Sequence, residues 1–388
     1  AVAIKGDYVP GNSINDYLNA KKIVLYDLDK ESWVIVDNDD FEIKKAVNEK
    51  GVQLKNWNIN FYRGFLTGFN DAFFINEEQK EEFIKNEPKS EEIIKPLLRG
   101  RNICKFNYKF DELYVIFIPW HFPLNGDSSI SGASLEAEKA FKEQYPFVYN
   151  HLLKFKEELS ARNKSETGIR YEWYALQRPA ATFAEEFEKE KLVWLSISDK
   201  PAFALDSKKM FVTAPAYIMT SDCNKYLLTM LNSKAMEWYL DKVSSSTGQG
   251  TNQWSKIFVE QLPIPQLSKE KRKPFEVLAD YLILLNDPNT PSIMEHASNE
   301  MISKQFEEVL NMMVYELYFE EHMKEKEIDV LQFVDFPDIS KMQSFEEKRD
   351  AIQKIYYWLK EKDNPIRNRI LVSESRSWII KRINQSTH

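Results

Sequence analysis

A change of hydrophobic period near Pro265 constrains this chain more than any other feature. From about Phe41 to Pro265 short strand-like runs mix with helical spacings in no strict alternation, which predicts an α+β body and argues against a doubly wound parallel sheet. Strands are expected at Phe61 to Leu66, Ala72 to Ile75, Leu113 to Ile118, Lys191 to Ile197 and Met210 to Met219. A helix is expected to open at Pro146 and to carry Val148, Leu152, Phe155 and Leu159 on one apolar face, the face that packs on the sheet. After Pro265 the spacing is helical throughout: Phe275, Leu278, Tyr281, Leu282 and Leu285, then Phe306, Val309, Met313 and Leu317, then Ile352, Ile355, Tyr356 and Leu359. This predicts a small helical bundle. The boundary falls at Gln261-Leu262-Pro263-Ile264-Pro265, where each proline fixes its own φ and keeps the residue before it out of the helical region. The polar run Ser244 to Gln253 just upstream reads as a flexible linker.

A chain of 388 residues exceeds one minimal domain, so one large domain plus a smaller one is expected. Aromatic residues make up 13 % of the chain and glycines number only 11, a composition for a rigid, packed body rather than a disordered one. The two cysteines, Cys104 and Cys223, have no companion at metal-ligand spacing and fit idle thiols in a reducing cytoplasm. No apolar run reaches the roughly 18 residues of a membrane span. The net charge of −8 excludes a uniformly basic nucleic-acid coat, although local distribution decides DNA binding.

Chemistry-bearing motifs are conspicuous by absence. There is no Asn/Asp-Pro-Pro-aromatic loop to hold a flipped adenine, no glycine-rich turn for a methyl donor, no phosphate-binding loop and no dinucleotide fingerprint. Asn364-Pro365-Ile366-Arg367 lacks the second proline and the aromatic and reads as a helix-breaking turn. Asp338, Glu346 and Lys348 imitate the spacing of magnesium-dependent nucleases, but Phe345-Glu346-Glu347-Lys348-Arg349-Asp350 has no strand alternation and reads as the charged opening of a helix. No catalytic residue and no metal ligand is assigned to the chain.

Nucleic-acid binding has positive support. In Lys85, Lys89, Lys95, Arg99, Arg101, Lys105 and Lys109 basic residues outnumber acidic ones, with Asn102, Asn107 and Tyr108 among them. Such residues neutralise and position phosphates. A second basic stretch, Lys154, Lys156, Arg162, Lys164, Arg170 and Arg178, ends beside Tyr171, Trp173 and Tyr174; solvated helix faces are the alternative for both. Gln249, Asn252 and Gln253, with Lys256 after them, supply amides that pair with an adenine edge in the major groove. The acidic stretch from Glu320 to Asp338 would repel a DNA backbone, so most of the helical part should face away from it.

Four strings in order carry a family resemblance. Gly64-Phe65-Leu66-Thr67-Gly68-Phe69-Asn70-Asp71-Ala72-Phe73, Lys95-Pro96-Leu97-Leu98-Arg99-Gly100-Arg101, Tyr171-Glu172-Trp173-Tyr174, and Asn232-Ser233-Lys234 with Leu262-Pro263-Ile264-Pro265 resemble the TaqI-like C-terminal specificity domain of type IIG restriction-modification enzymes and adenine-specific DNA methyltransferases. The resemblance covers about Trp33 to Pro265, and Val314-Tyr315-Glu316-Leu317-Tyr318 resembles the spacer helices that follow in such enzymes; Asn102 stands where the family often has Asp. It implies a mixed, bent-sheet target recognition domain at 33–265, a helical spacer-like domain at 266–388, and a lead-in at 1–32 from an upstream methyltransferase half. It further implies double-stranded DNA as partner, S-adenosylmethionine in the methyltransferase half rather than in this chain, and magnesium if a nuclease is joined to it. The candidate DNA contacts are Arg63, Thr67, Asn70, Lys95, Arg99, Arg101, Arg170, Arg178, Gln249, Asn252, Gln253 and Lys256. Thr67 and Asn70 suit a structural turn equally, Arg99 and Arg101 suit ion pairs with Glu91 and Glu92, and Trp173 suits the core. The rivals are a nuclease using Asp338, Glu346 and Lys348, and a defence-system scaffold that binds protein through its acidic helices.

Overall fold

The computed structural model describes residues 38–162, 171–179, 183–198, 200–243 and 252–387, together with Ser13 and Asp16. A four-stranded antiparallel sheet, in the order Asn60–Arg63, Ala216–Thr220, Lys191–Leu195 and Phe203–Asp206, stands at the centre. Successive side chains on a strand point to opposite faces, and both faces of this sheet are apolar. Leu192, Trp194, Phe203 and Met219 enter one core, while Val193, Ala204, Ala216 and Ile218 enter a second. The near-continuous apolar run Leu192-Val193-Trp194-Leu195 is thus what a strand buried on both sides requires.

One ion pair is buried within that sheet. Lys191 and Asp206 face each other in register and both side chains are fully buried. The pair persists because its remaining hydrogen-bonding capacity is filled: Lys191 Nζ donates to the Phe187 carbonyl at 2.6 Å, and Asp206 accepts from the Tyr108 hydroxyl at 2.8 Å and from the Lys208 and Met210 backbone N–H at 2.9 and 2.8 Å.

The second core is walled by a second sheet, this one mixed, Phe74–Asn76, Leu113–Ile116, Ile94–Leu98 and Phe211–Val212, whose last pairing is parallel. Here the strand expected at Ala72 to Ile75 is corrected: Asn70–Phe73 is one helical turn and the strand is Phe74–Asn76, since the turn after Gly68 feeds directly into helical backbone. The run expected from Met210 to Met219 divides into Phe211–Val212 and Ala216–Thr220, with Pro215 between them unable to donate to a ladder. The helix from Pro146 divides likewise into Pro146–Leu153 and Lys156–Ala161, yet Val148, Leu152 and Leu159 share the core as their spacing requires.

The first core collects Asn38–Lys50, Asn224–Leu231, Lys234–Val243 and the C-terminal helices Lys269–Leu285, Asn299–Glu325, Phe345–Trp358, Pro365–Arg376 and Trp378–Ser386. It runs unbroken across Pro265. The Tyr226 hydroxyl donates to the Pro265 carbonyl and the Tyr318 hydroxyl to that of Pro263, both at 2.8 Å, and the rings of Tyr226 and Phe275 meet edge to face at 5.7 Å. Pro263–Ile264 pairs with Val52–Gln53. Asp40, buried on the first of these helices, is held by Arg382 Nε at 2.8 Å and Lys242 Nζ at 3.3 Å, so the last helix is tied back to the first. Among the described residues no helix is long and apolar enough to cross a membrane.

Candidate nucleic-acid interface

One end of the central sheet collects the segments that carry most of the candidate contacts. Arg63 ends its strand opposite Tyr217, and the next N–H, from Gly64, donates to the Ala216 carbonyl at 2.9 Å. Ala216 in turn faces Leu195, the last residue of its strand. Gly100 packs on that same Leu195: a Cβ added there would lie 2.5 Å from Leu195 Cδ1. Gly64 is needed for a different reason, because a Cβ on it would meet the backbone of Val212, Thr213 and Ala214 at 2.4–2.6 Å. From there Phe65 bridges Thr213 and Leu66 bridges Arg178.

Three arginines at these junctions, Arg63, Arg101 and Arg178, are exposed and make no ion pair among the described residues. Backbone pairing fixes where Arg63 and Arg178 start, the turn Gly100–Asn102 does so for Arg101, and solvent takes each head. Arg99 differs: its guanidinium pairs with Asp111 at 3.4 Å, not with Glu91 or Glu92, and Asn102 and Lys109 converge on the same carboxylate at 2.7 and 3.8 Å. The Asn102 amide, helped by these cations, holds the Asp111 carboxyl below its ordinary pKa. Lys95 is engaged by Glu188 at 3.1 Å, and Lys256 by Glu260, one helical turn on, at 3.8 Å. Asn252–Gln253 forms a two-stranded ribbon with Ile197–Ser198, so the end of the run read as a linker has paired backbone. Arg170 and Gln249 lie outside the described residues, as does the linker from Ser244 to Thr251.

Thr67 is buried and its hydroxyl donates to Asn70 Oδ1 at 2.6 Å, while Gly68 takes φ +79°, the left-handed region that suits glycine. The Thr-Gly-x-Asn string therefore closes a turn. Two residues that spacing alone did not single out hold this turn in place. Arg162, from the second basic stretch, is buried rather than solvated. Its guanidinium donates to the carbonyls of Leu159 at 2.9 Å, Thr67 at 2.5 Å, Trp173 at 2.6 Å and Ala175 at 2.8 Å, and burial pulls its pKa below the usual arginine value. Glu172, also buried, accepts from His121 N–H and Nδ1, each at 2.8 Å, and from Ser134 N–H at 2.9 Å. Arg162 and Glu172 thus fix the 67–70, 119–134 and 171–178 segments relative to one another. The one advance signal was a carboxylate set between the aromatic rings of Tyr171 and Trp173. Trp173 itself is half-buried, donating Nε1 to Glu138 at 2.7 Å beneath the Lys156 ammonium at 5.0 Å.

The nuclease-like spacing does not assemble. Asp338 caps a short turn through Ser340 and pairs with Lys273 at 2.7 Å and Lys341 at 3.4 Å. Partial burial pushes its pKa up, but these hydrogen bonds and charges outweigh it and hold the carboxyl well below the usual range. Glu346 and Lys348 lie in the first turn of the helix Phe345–Trp358, closed by a Ser344/Glu347 capping box, and not on a strand. Among the described residues no group of three His, Cys, Asp or Glu side chains is placed to hold a metal ion.

Comparison with known proteins agrees with the resemblance carried by the four strings. Residues 95–264 match the family described as the TaqI-like C-terminal specificity domain. The type II methyltransferase M.MjaIV of Methanocaldococcus jannaschii is 23 % identical over 230 residues, 58 % of this chain and 71 % of that protein. A solved structure of the type IIL restriction-modification enzyme MmeI in complex with DNA aligns over 79 % of this chain at 15 % identity and a TM-score of 0.43. The chain spans about a third, 36 %, of that enzyme's length.

Proposed function

Because residues 95–264 match a TaqI-like C-terminal specificity domain, we propose that this chain is the sequence-reading DNA-recognition part of a type IIG restriction-modification enzyme or N6-adenine methyltransferase. It docks on double-stranded DNA through the sheet end that bears Arg63, Arg101 and Arg178. The observation that carries this reading is the convergence, within or beside the matched segment, of three exposed guanidiniums with no carboxylate partner among the described residues. Guanidiniums of this kind bind phosphate oxygens and set register, while base edges are read from the groove. The buried Arg162 and Glu172 serve the same end by preventing the flanking segments from moving.

The methyl donor, S-adenosylmethionine, is assigned to a methyltransferase body joined to this one, and magnesium to a nuclease where one is joined. The working compartment is the cytoplasm. The test is selection of a random-sequence duplex pool by this chain, followed by affinity measurement across salt. Enrichment of one short motif is expected. Three phosphate contacts predict a log–log salt slope of about −2.7, or about 40-fold weaker binding at 200 mM than at 50 mM salt. Salt-insensitive binding, or none either alone or with a methyltransferase body restored, would instead support a protein-binding scaffold.

A further inference from the structure

The ribbon formed by Ile197–Ser198 and Asn252–Gln253 leaves the central sheet at the end just described, and its root is rigid. The N–H of the buried Trp254 donates to the Ser196 carbonyl at 2.7 Å, and the Trp254 carbonyl accepts from Trp194 Nε1 at 2.7 Å. Beyond this root the apolar cover ends abruptly. Ile197 is 49 % exposed, and Ile257, on the short helix Lys256–Val259 that follows, is 65 % exposed. A single exposed isoleucine is ordinary. Ile197 stands out because it emerges at the sheet end that bears Arg63 and Arg101, exposed arginines with no ion pair among the described residues.

What covers it is indicated by charge and by reach. Leu195 rests on Gly100 between Arg99 and Arg101, and two residues of strand span about 6.6 Å. Ile197 therefore leaves the sheet two residues beyond the side chain that packs on that turn. A partner that presents negative charge to Arg101 and Arg63, and an apolar spot to Ile197 at the same end of the sheet, fits duplex DNA. The major groove, roughly 12 Å wide, admits a two-stranded ribbon, and its one apolar feature is the thymine 5-methyl group.

We propose that this ribbon is the element that enters the major groove and that Ile197 is a specificity-determining residue, packing on the methyl group of a thymine in the target. The proposal rests on the DNA-recognition reading above and deepens it. No bond is made or broken; specificity arises because only thymine offers the methyl.

The experiment starts from the pool enriched by the full chain, re-amplified with either thymidine or deoxyuridine nucleotides, which differ at the read position only by that methyl. The wild-type protein is expected to bind the uracil duplex about fourfold more weakly, the worth of one buried methyl-sized group. Ile197→Ala is expected to lose about fourfold on the thymine duplex and to be indifferent to uracil. Since the side chain is exposed, its removal leaves the fold intact, which thermal unfolding of the variant checks. Two results overturn the ribbon assignment while leaving DNA recognition standing: sequence-specific wild-type binding that ignores the uracil exchange, or an Ile197→Ala protein that keeps both its affinity and the uracil penalty. Absence of salt-sensitive DNA binding by the wild-type chain, both alone and with a methyltransferase body restored, overturns both.

Discussion

Replacing Arg162 by methionine keeps most of the side chain's volume and removes only its five donors. Four carbonyls, those of Leu159, Thr67, Trp173 and Ala175, then lose a charged donor at a site that is 8 % exposed. A hydrogen bond to a charged group contributes about 1.5–3 kcal/mol net, but four bonds share one guanidinium whose desolvation opposes them. The expected loss is therefore about 3–5 kcal/mol, the range for breaking one side of a buried charged network. Unfolding entropy near 2.1 cal/mol/K per residue gives about 0.8 kcal/mol/K for a chain of this length, so Tm should fall by about 4–6 °C. The two cores share the central sheet, which argues for one cooperative transition. Near-UV circular dichroism on heating reads it, and hydrogen exchange at Thr67, Gln177 and Arg178 locates it. Arg162→Lys should lie close to methionine, because one ammonium cannot span carbonyls from three separate segments. An Arg162→Met protein melting within about 1 °C of wild type would refute the clamp.

Gly64→Ala should destabilise by about 1–3 kcal/mol, because the added Cβ meets fixed backbone rather than a side chain that swings aside; urea unfolding measures it, and a neutral result would show that the 212–214 backbone yields. Arg101→Ala should reduce the salt slope of DNA binding by about 0.9, whereas Lys95→Ala should leave it unchanged because Glu188 holds that ammonium; equal effects would contradict the distinction. Burial raises the pKa of Glu316 despite the N–H donors of Val330 and Leu331. A raised folded pKa means that stability is fully present below the unfolded value and is lost as pH rises through the folded one. Glu316→Gln should therefore flatten the stability profile above about pH 4, and an unchanged profile would remove Glu316 as its source.

The strands that bury both faces were legible because their composition leaves no choice: a run such as Leu192-Val193-Trp194-Leu195 has no polar side to give to water. The C-terminal helices were equally legible from their spacing, since Phe275, Leu278 and Leu282 share one stripe and one core. The helical turn at Asn70–Phe73 was not, because four residues are too few for a period and the Thr67–Asn70 hydrogen bond that closes the turn before it is a local competitor with strand backbone. Arg162 shows the same limit for function. In sequence it is one cation among six in a basic stretch. Its burial depends on three distant carbonyl groups arriving together, which no local pattern encodes.

The candidate contacts differ in what each side chain already does. A cation that has found a carboxylate, as Lys95 has with Glu188 and Arg99 with Asp111, must give up that partner before a phosphate gains it, and the exchange yields little. Among the described residues Arg63, Arg101 and Arg178 have no carboxylate to give up and start with only water to lose. Composition ranks all five alike; the fold separates them, and it places the uncommitted three where Gly64, Gly100 and the Leu66–Arg178 bridge bring separate segments to one end of the sheet. The glycine of the Arg-Gly-Phe string thus acts through backbone approach, presenting Arg63 from a junction where a Cβ would meet the fixed backbone of 212–214, while a Cβ on that of the Arg-Gly-Arg string would crowd only the Leu195 side chain, which can swing aside. Gly64→Ala should therefore weaken DNA binding by displacing Arg63, whereas Gly100→Ala should change it little.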